Sequence, residues 1–349
     1  MDWNYMLNHV ASIAFDVLYI GIVVGMIMVI ILDNRNPVKT ISWVLILAFV
    51  PVVGLVFYFF FGRSRRRERI IGRKVYNRLL KNPMAEFLSQ DNLPHPPKYT
   101  RLIELLQHIN QALPFDGNSI DIYTSGRPML KALLAELQQA QKHIHLEFYI
   151  FEDDVTGRAV RDVLIAKARE GVEVRVIYDD VGCWRVPARF FNEMSRAGIE
   201  VRNFLEVHFP LLTSRVNYRN HRKVVVIDGR VGFVGGMNLA DRYMDGVSWG
   251  VWRDTHLRLE GKAVHGLQMS FLMDWYFVDQ TLLSSSRYYP KLETTGESLV
   301  QIVTSDPIGP WKEIMQGLVQ AISNAQHYFY MQTPYFLPTE QLLAAMQSA

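Results

Sequence analysis

Two apolar runs open the chain, and a regular alternation of helical and strand periods follows them. Ala11 to Leu32 is apolar except for Asp16 and a few small polar residues, and Ile41 to Phe61 carries no charge. About 20 helical residues rising 1.5 Å each cover the roughly 30 Å hydrocarbon core of a bilayer, so either run is long enough to cross one. No Lys or Arg precedes Ala11 and no small-residue cleavage site follows the run, which argues against a secretory signal. The second run is as long and as apolar as a membrane span, which argues against a buried helix of a soluble domain. The pattern therefore predicts a two-helix transmembrane hairpin over residues 1–62, in which Pro51 and Gly54 are tolerated and would kink the second helix.

Residues 63–100 read as a basic segment and linker, with Pro94, Pro96 and Pro97 in the polar stretch Gln90 to Tyr99. Beyond it, Leu130 to Lys142 has helical periodicity and His143 to Phe151 reads as a buried strand. Gly157 to Glu170 is the next helix, Val172 to Tyr178 the next strand, and Phe190 to Ala197 another helix. Gly198 then leads into a strand over Ile199 to Phe204. Such alternation with short connections predicts an α/β fold, a mixed or largely parallel sheet flanked by helices on both faces.

Charge refines the picture through its placement more than its amount. A net formal charge of +3 is too small to argue for nucleic acid. The loop between the apolar runs offers only Arg35 and Lys39, whereas Arg63, Arg65, Arg66, Arg67, Arg69, Arg73 and Lys74 follow the second run. The positive-inside rule then predicts a multi-pass protein of the inner (cytoplasmic) membrane whose downstream domain is cytoplasmic. The basic cluster would also attract anionic membrane lipid, at about 1 kcal/mol per residue near the surface. The single cysteine, Cys183, cannot form an internal disulfide, which agrees with a reducing compartment.

The chemistry concentrates in Tyr218-Arg-Asn-His-Arg-Lys-Val-Val-Val-Ile-Asp-Gly229, which sets His221, Lys223 and Asp228 in the spacing His-x-Lys-x4-Asp. Residues i and i+2 of a strand share a face, and Val224 to Ile227 are strong strand formers, so His221 and Lys223 can enter one pocket. Gly235 and Gly236 follow, where backbone can approach an oxyanion, and then Asn238, whose amide can donate to one. A lone His-x-Lys reads as a solvated basic strand end. With the aspartate, the strand and the Gly-Gly-x-Asn tail it reads as a phosphodiester site. Neither a metal nor a cofactor is needed, because a neutral imidazole can itself attack phosphorus.

Other candidates carry less. His143 and His145 also lie two apart, but no Cys, Asp or Glu cluster joins them as ligands. Asp153, Asp154, Asp179 and Asp180 read as loop ends that cap helices and strands. Glu147 and Tyr149 lie on a strand leading towards the site and either line it or pack. The aromatics of Phe271 to Phe277 fit an amphipathic or a core helix, with a lipid-facing role open.

An internal repeat is also visible. Tyr-Thr-Ser-Gly126, a helix ending Gln-Gln-Ala-Gln-Lys142, and His-Ile-His-Leu-Glu-Phe-Tyr-Ile-Phe151 match Val-Thr-Ser-Asp306, a helix ending Ser-Asn-Ala-Gln326, and His-Tyr-Phe-Tyr-Met-Gln-Thr-Pro-Tyr-Phe336. The offset, measured from Ala140 to Ala325, is 185 positions. It predicts a first domain over 101–290, the start of a second over 291–349, and a second His-x-Lys near position 406, past the last residue.

Taken together these segments resemble the bacterial cardiolipin synthases of the phospholipase D superfamily. The resemblance rests on Trp43-Val-Leu-Ile-Leu47, Pro51-Val-Val-Gly54, Phe61-Gly-Arg63, His145-Leu-Glu-Phe-Tyr-Ile-Phe151, Tyr178-Asp-Asp-Val-Gly182, Tyr218-Arg-Asn-His-Arg-Lys223, Trp252-Arg-Asp254 and Gln332-Thr-Pro-Tyr-Phe336. It implies a fold of two similar α/β units meeting at one site, and the joining of two phosphatidylglycerol molecules into cardiolipin with release of glycerol. By that resemblance His221 is the nucleophile, Lys223 and Asn238 hold the non-bridging oxygens, and Asp254 orients the imidazole. Asp228 belongs to the motif but is expected to hold the strand end and a basic neighbour. The acid for the leaving glycerol is expected from a second motif, supplied by a missing C-terminal region or by a second chain. Hydrolysis by a phospholipase D-type site, and an inactive membrane-anchored fragment, are the competing readings.

Overall fold

The computed structural model describes residues 3–33, 37–58, 94, 96–206, 219–248, 250–305 and 312–349. The end of the predicted hairpin (59–62), the basic cluster 63–74, residues 90–93 and 95 of the proline-bearing stretch and Tyr218 lie outside them. The chain divides into two compact units, one holding residues 1–69 and 208–217, the other the rest.

In the first unit, helix α1 (Trp3–Asp33) contains Ser12–Leu32, 21 residues of mean hydropathy 2.7 and long enough to cross a membrane. The second predicted span is not one unbroken helix. Helix α2 (Pro37–Phe49) stops where Val50 leaves helical geometry at φ −138° and ψ 66°, and α3 (Pro51–Phe57) starts anew. Pro51 lacks an N–H and disfavours the helical conformation in the residue before it, so the kink expected there is a full interruption. At 13 residues, α2 covers only about 20 Å. Ile30, Leu47 and Tyr58 are buried together, with Trp43 edge-on to Tyr58 at 5.4 Å between ring centroids. The remainder of α1 exposes Val10, Ile13, Val17, Ile20 and Met28, a surface suited to hydrocarbon.

The second unit begins with α4 (Thr100–Asn110) and β1 (Pro114–Tyr123), then α5 (Gly126–Gln139), β2 (His143–Phe148), α6 (Val155–Arg169) and β3 (Glu173–Asp179). It continues through α7 (Ala188–Arg196), β4 (Glu200–Phe204), β5 (Lys223–Ile227), β6 (Val231–Gly235), the short α8 (Asp241–Met244), β7 (His256–Glu260) and α9 (Val264–Asp279). Strand β8 (Ser298–Gln301) and helices α10 (Glu313–Ser323) and α11 (Glu340–Ser348) follow.

The eight strands form one mixed sheet in the order β4-β3-β2-β5-β6-β7-β1-β8. Only β2, β3 and β4 are parallel neighbours, so the parallel character expected from helix alternation stops at β2. From β5 onward every pairing is antiparallel. The Asp228-Gly229 turn enforces the antiparallel pairing of β5 with β6, since both residues have positive φ (54° and 66°) and Arg230 N–H bonds back to Ile227 O. That is the backbone of a tight hairpin, and a tight hairpin joins only antiparallel strands.

Side-chain alternation fills both faces. Ile144, Leu146 and Phe148 of β2 join Met129, Leu133 and Leu137 of α5, Val160 and Leu164 of α6, and Phe190 and Met194 of α7. Across the sheet, Val224 and Val226 pack with Val264 and Leu267 of α9, whose Phe271 and Trp275 are also fully buried. The Phe271 to Phe277 aromatics thus belong to a core helix. Strand β8 adds to β1, and Gln301 donates to Ile103 O and Ala112 O at 3.2 and 3.0 Å, tying 298–301 to the first domain's edge. Residues 327–336, which the repeat aligns with β2, have no regular structure here.

Candidate active site

The residues entering β5 alternate between its two faces, and the two faces do different work. Asn220 and Arg222 turn towards α9, where Asn220 bonds the buried Glu147 and Arg222 pairs with Asp274. His221 and Lys223 turn the other way, with Lys223 Nζ 3.2 Å from His221 Nδ1 and 2.7 Å from His221 O. Asn220 also accepts from Arg222 N–H at 3.0 Å, and its own N–H donates to Asp179 at 3.0 Å. Asp179 further accepts from the N–H groups of Val181 and Gly182, fixing the loop at the end of β3 beside the site. His221 is thereby flanked on both sides by anchored residues while it is itself exposed.

The electrostatics suit a nucleophile and a phosphate holder. Partial burial, and then the Lys223 charge, push the His221 pKa below its ordinary value, with Asp254 opposing. Neutral imidazole is therefore the prevailing form near pH 7. Burial lowers Lys223 to about 8 against the opposing charges of Asp254 and Asp179. The Tyr149 ring lies 4.6 Å from the His221 ring and 5.3 Å from Lys223 Nζ, forming one wall. Glu147, immersed behind that wall, has its pKa raised by burial and by Asp274, which favours the uncharged acid.

The other expected residues are placed as follows. Asp254 carries a charge felt by both His221 and Lys223, and it accepts from Thr255 N–H at 2.7 Å. Gly236 is required beside it, because a Cβ there would overlap the Asp254 carboxylate. Gly235 lies against the His256 backbone, and the Gly236 N–H donates to Thr255 O at 2.8 Å. The two glycines therefore admit β7 and Asp254, and the Gly236 amide does not point at an oxyanion. Asn238 is buried; its Nδ2 donates to Tyr243 Oη at 2.6 Å and its Oδ1 accepts from Ile150 N–H at 3.1 Å. It braces the wall, with one amide hydrogen left over.

Asp228 stands apart from the chemistry. Five residues beyond Lys223 along β5, it is about 17 Å away at roughly 3.3 Å per residue. Its carboxylate accepts from the N–H groups of Gln141, Lys142 and His143 at 2.9, 2.7 and 2.9 Å. It holds a strand end as expected, but the expected basic neighbour is met through its backbone amide.

His143 and His145 form a closed buried network. Gln268 bridges His143 Nε2 at 3.0 Å and His145 Nδ1 at 2.8 Å, and His145 stacks on Phe271 at 4.5 Å. Burial lowers His145 to about 3, so it stays neutral. No group of three potential metal ligands occurs among the described residues. Of the aspartates expected to cap, Asp154 caps α6 by accepting from Gly157 N–H at 2.9 Å, whereas Asp153 pairs with the Arg158 guanidinium at 2.6 Å and Asp180 accepts from the Asn203 side-chain amide at 3.4 Å. Cys183 is buried and accepts from Phe151 N–H at 3.3 Å.

The sequence reading passed over Asn220, whose role shows only once Glu147 and Asp274 meet behind it. It also passed over His256, buried in β7, where burial and the Lys223 charge lower its pKa to about 4. The Thr-His pair directly after Asp254 was its available signal.

Comparison with known proteins identifies the family. A family model described as cardiolipin synthase, phospholipase D-like domain, matches residues 133–249, and one described as phospholipase D-nuclease N-terminal matches 18–63. The chain is 38% identical to the major cardiolipin synthase ClsA of Bacillus subtilis, over 97% of its own length and 73% of the relative's. It is 37% identical to the cardiolipin synthase of Geobacillus kaustophilus, over 96% and 68%. Among solved structures, phosphatidylserine synthase of Haemophilus influenzae is similar at 14% identity and a TM-score of 0.48, over 72% of this chain and 63% of that one.

Proposed function

Because the chain belongs to the cardiolipin synthase family of phospholipase D-like proteins, a family of phosphatidyltransferases, we propose that His221 carries the phosphatidyl group between two molecules of phosphatidylglycerol. The observation that carries this reading is the His221–Lys223 pair, an exposed imidazole with a buried amine 3.2 Å away on one strand face. His221 attacks phosphorus, the bond from phosphorus to the glycerol oxygen breaks, and a phosphohistidine remains. A hydroxyl of the second phosphatidylglycerol then attacks the same phosphorus, breaking the P–N bond and giving cardiolipin.

The resting contact has a consequence for this sequence of steps. As an ammonium, Lys223 donates to Nδ1 and leaves the ring proton on Nε2, whereas attack through Nε2 needs the proton on Nδ1. A phosphate that draws Lys223 onto its own oxygens frees Nδ1, and Asp254 is the nearby charge that stabilises a proton there. Lys223 then stabilises the charge that builds on the non-bridging oxygens.

Protonation of the departing glycerol falls to a second histidine, from further sequence or a second chain, a proposal supported by the repeat at an offset of 185 positions. The protein is membrane-associated, and the run of basic residues after Phe61 supports a cytoplasmic catalytic domain and more than one crossing. The test uses vesicles of phosphatidylglycerol labelled in the phosphate. Acid-labile labelled protein and labelled cardiolipin are expected from the wild type and neither from His221→Ala. Label in the alanine variant, or phosphatidic acid as the sole product of the wild type, would refute the reading.

A further inference from the structure

An open groove of about 500 Å³ is lined by Glu152, Val181, Gly182, Trp184, Arg185, Val186 and Arg242. Its walls come from the segments that follow β2 and β3 and from α8, and each touches residues that frame the site. Gly182 sits against Tyr149 O, where a Cβ would not fit, and the Tyr149 ring packs on His221. Glu152 follows Ile150, whose N–H bonds Asn238, and Arg242 precedes Tyr243, whose hydroxyl also bonds Asn238. The lining carries two guanidinium groups and one carboxylate. Arg242 uses one N–H on Glu152 at 2.8 Å and keeps four donors, while Arg185 is exposed and has no partner among the described residues. Trp184, 60% exposed at the mouth, presents an amphipathic ring of the kind that settles where lipid meets water.

We propose that this groove is the subsite for the headgroup of the second, accepting lipid, with Arg185 and Arg242 holding its phosphodiester and Glu152 receiving a glycerol hydroxyl. The assignment rests on the phosphatidyl-transfer reading above. One net positive charge matches one phosphodiester, and a carboxylate among the arginines suits a ligand that offers hydroxyl donors as well as an anion.

The test reads the groove locally, so that it does not depend on turnover. The full chain is labelled with 5-fluorotryptophan, the Trp184 resonance is assigned with Trp184→Phe, and short-chain phosphatidylglycerol below its micellar concentration is titrated in. A saturable shift of that resonance is expected, unchanged in His221→Ala and weakened at least about tenfold in Arg185→Ala and in Arg242→Ala, the loss expected for one charge-assisted hydrogen bond. No saturable shift, or the same half-saturation in both arginine variants, overturns the proposal. Inorganic phosphate is the second probe, and a shift that it reproduces at equal or lower concentration overturns the lipid assignment in favour of free phosphate. Transfer activity surviving in His221→Ala would instead remove the reading on which the assignment rests while leaving the measured binding in place.

Discussion

Strand β2 begins with His143 and His145, and β5 is entered through His221 and Lys223; both pairs are spaced two apart on one strand face. Their fates are opposite. The first pair is sealed between the sheet and α9, bridged by Gln268, roofed by Phe271 and Tyr288, and kept neutral by burial. The second stands at the open end of the sheet, with an exposed imidazole against a buried amine whose pKa has been lowered to about 8. Spacing grants a shared face. Which end of the strand the pair occupies, and what covers that face, decide between packing and chemistry.

Substitution should break this comparison most sharply at His221. His221→Ala is expected to lower phosphatidyl transfer by about 10⁴-fold or more, as loss of a nucleophile does, without changing the thermal midpoint. Lys223→Ala should cost about 10² to 10³, comparable with removal of an oxyanion donor. Steady-state kinetics on vesicles checks both.

The support behind the strand comes next. Asn220→Ala should lower kcat by about 10²-fold through misplacement of His221, with KM little changed. Glu147 separates a neutral brace from a charged one. Glu147→Gln, isosteric with the protonated acid, should keep folding and rate, whereas Glu147→Ala should lose both; equal damage from the two variants would show that the charge matters.

On the sealed pair, His145→Ala should leave the rate per folded molecule within a few-fold while costing about 2 to 4 kcal/mol of stability from lost packing and hydrogen bonds. Chemical denaturation followed through the signal of the second unit provides the measure.

The smallest effects are those of pH, and they divide the pairs again. Transfer should rise as His221 deprotonates, at a pH below its ordinary 6.5, and fall as Lys223 deprotonates near 8. The folded pKa values of His145 and His256 are about 3 and about 4, below their unfolded value, so the unfolded state binds the extra protons. Stability is full above about pH 6.5 and declines as pH falls, by about 1.4 kcal/mol per unit for each histidine. Replacing His145 should flatten that acid limb and leave the rate profile alone.

Much of this was legible in the sequence because local signals agreed with the final environment. β2, β3 and β4 alternate with α5, α6 and α7 close to the expected positions, since each carries its own apolar period. β1 escaped notice because Gly117, at φ 70°, and Asp116 interrupt its alternation. β6 escaped because its glycines, Gly232 and Gly235, break the apolar period of a strand, whereas they leave room for Leu267 and for the β7 backbone. The second apolar run kept its composition but lost its continuity to one proline. At the site, His221 and Lys223 announce themselves by type and spacing. Asn220, Asp179 and Asp274 do not, because their partners lie 41 to 73 residues away in sequence and meet only across the folded sheet.

The Asp228 clamp, finally, acts as an indexing pin for the whole motif. Strand pairing has a period of two, so sliding β5 by one residue along β2 would turn Asn220 and Arg222 outward and drive His221 and Lys223 into the face covered by α9. Backbone hydrogen bonds alone would tolerate that slip. Three amides at the start of β2, gripped by one carboxylate in a turn that only a left-handed conformation can make, set the count from the far end of the strand. One carboxylate at the far end of the strand thus determines which side of the sheet His221 and Lys223 face.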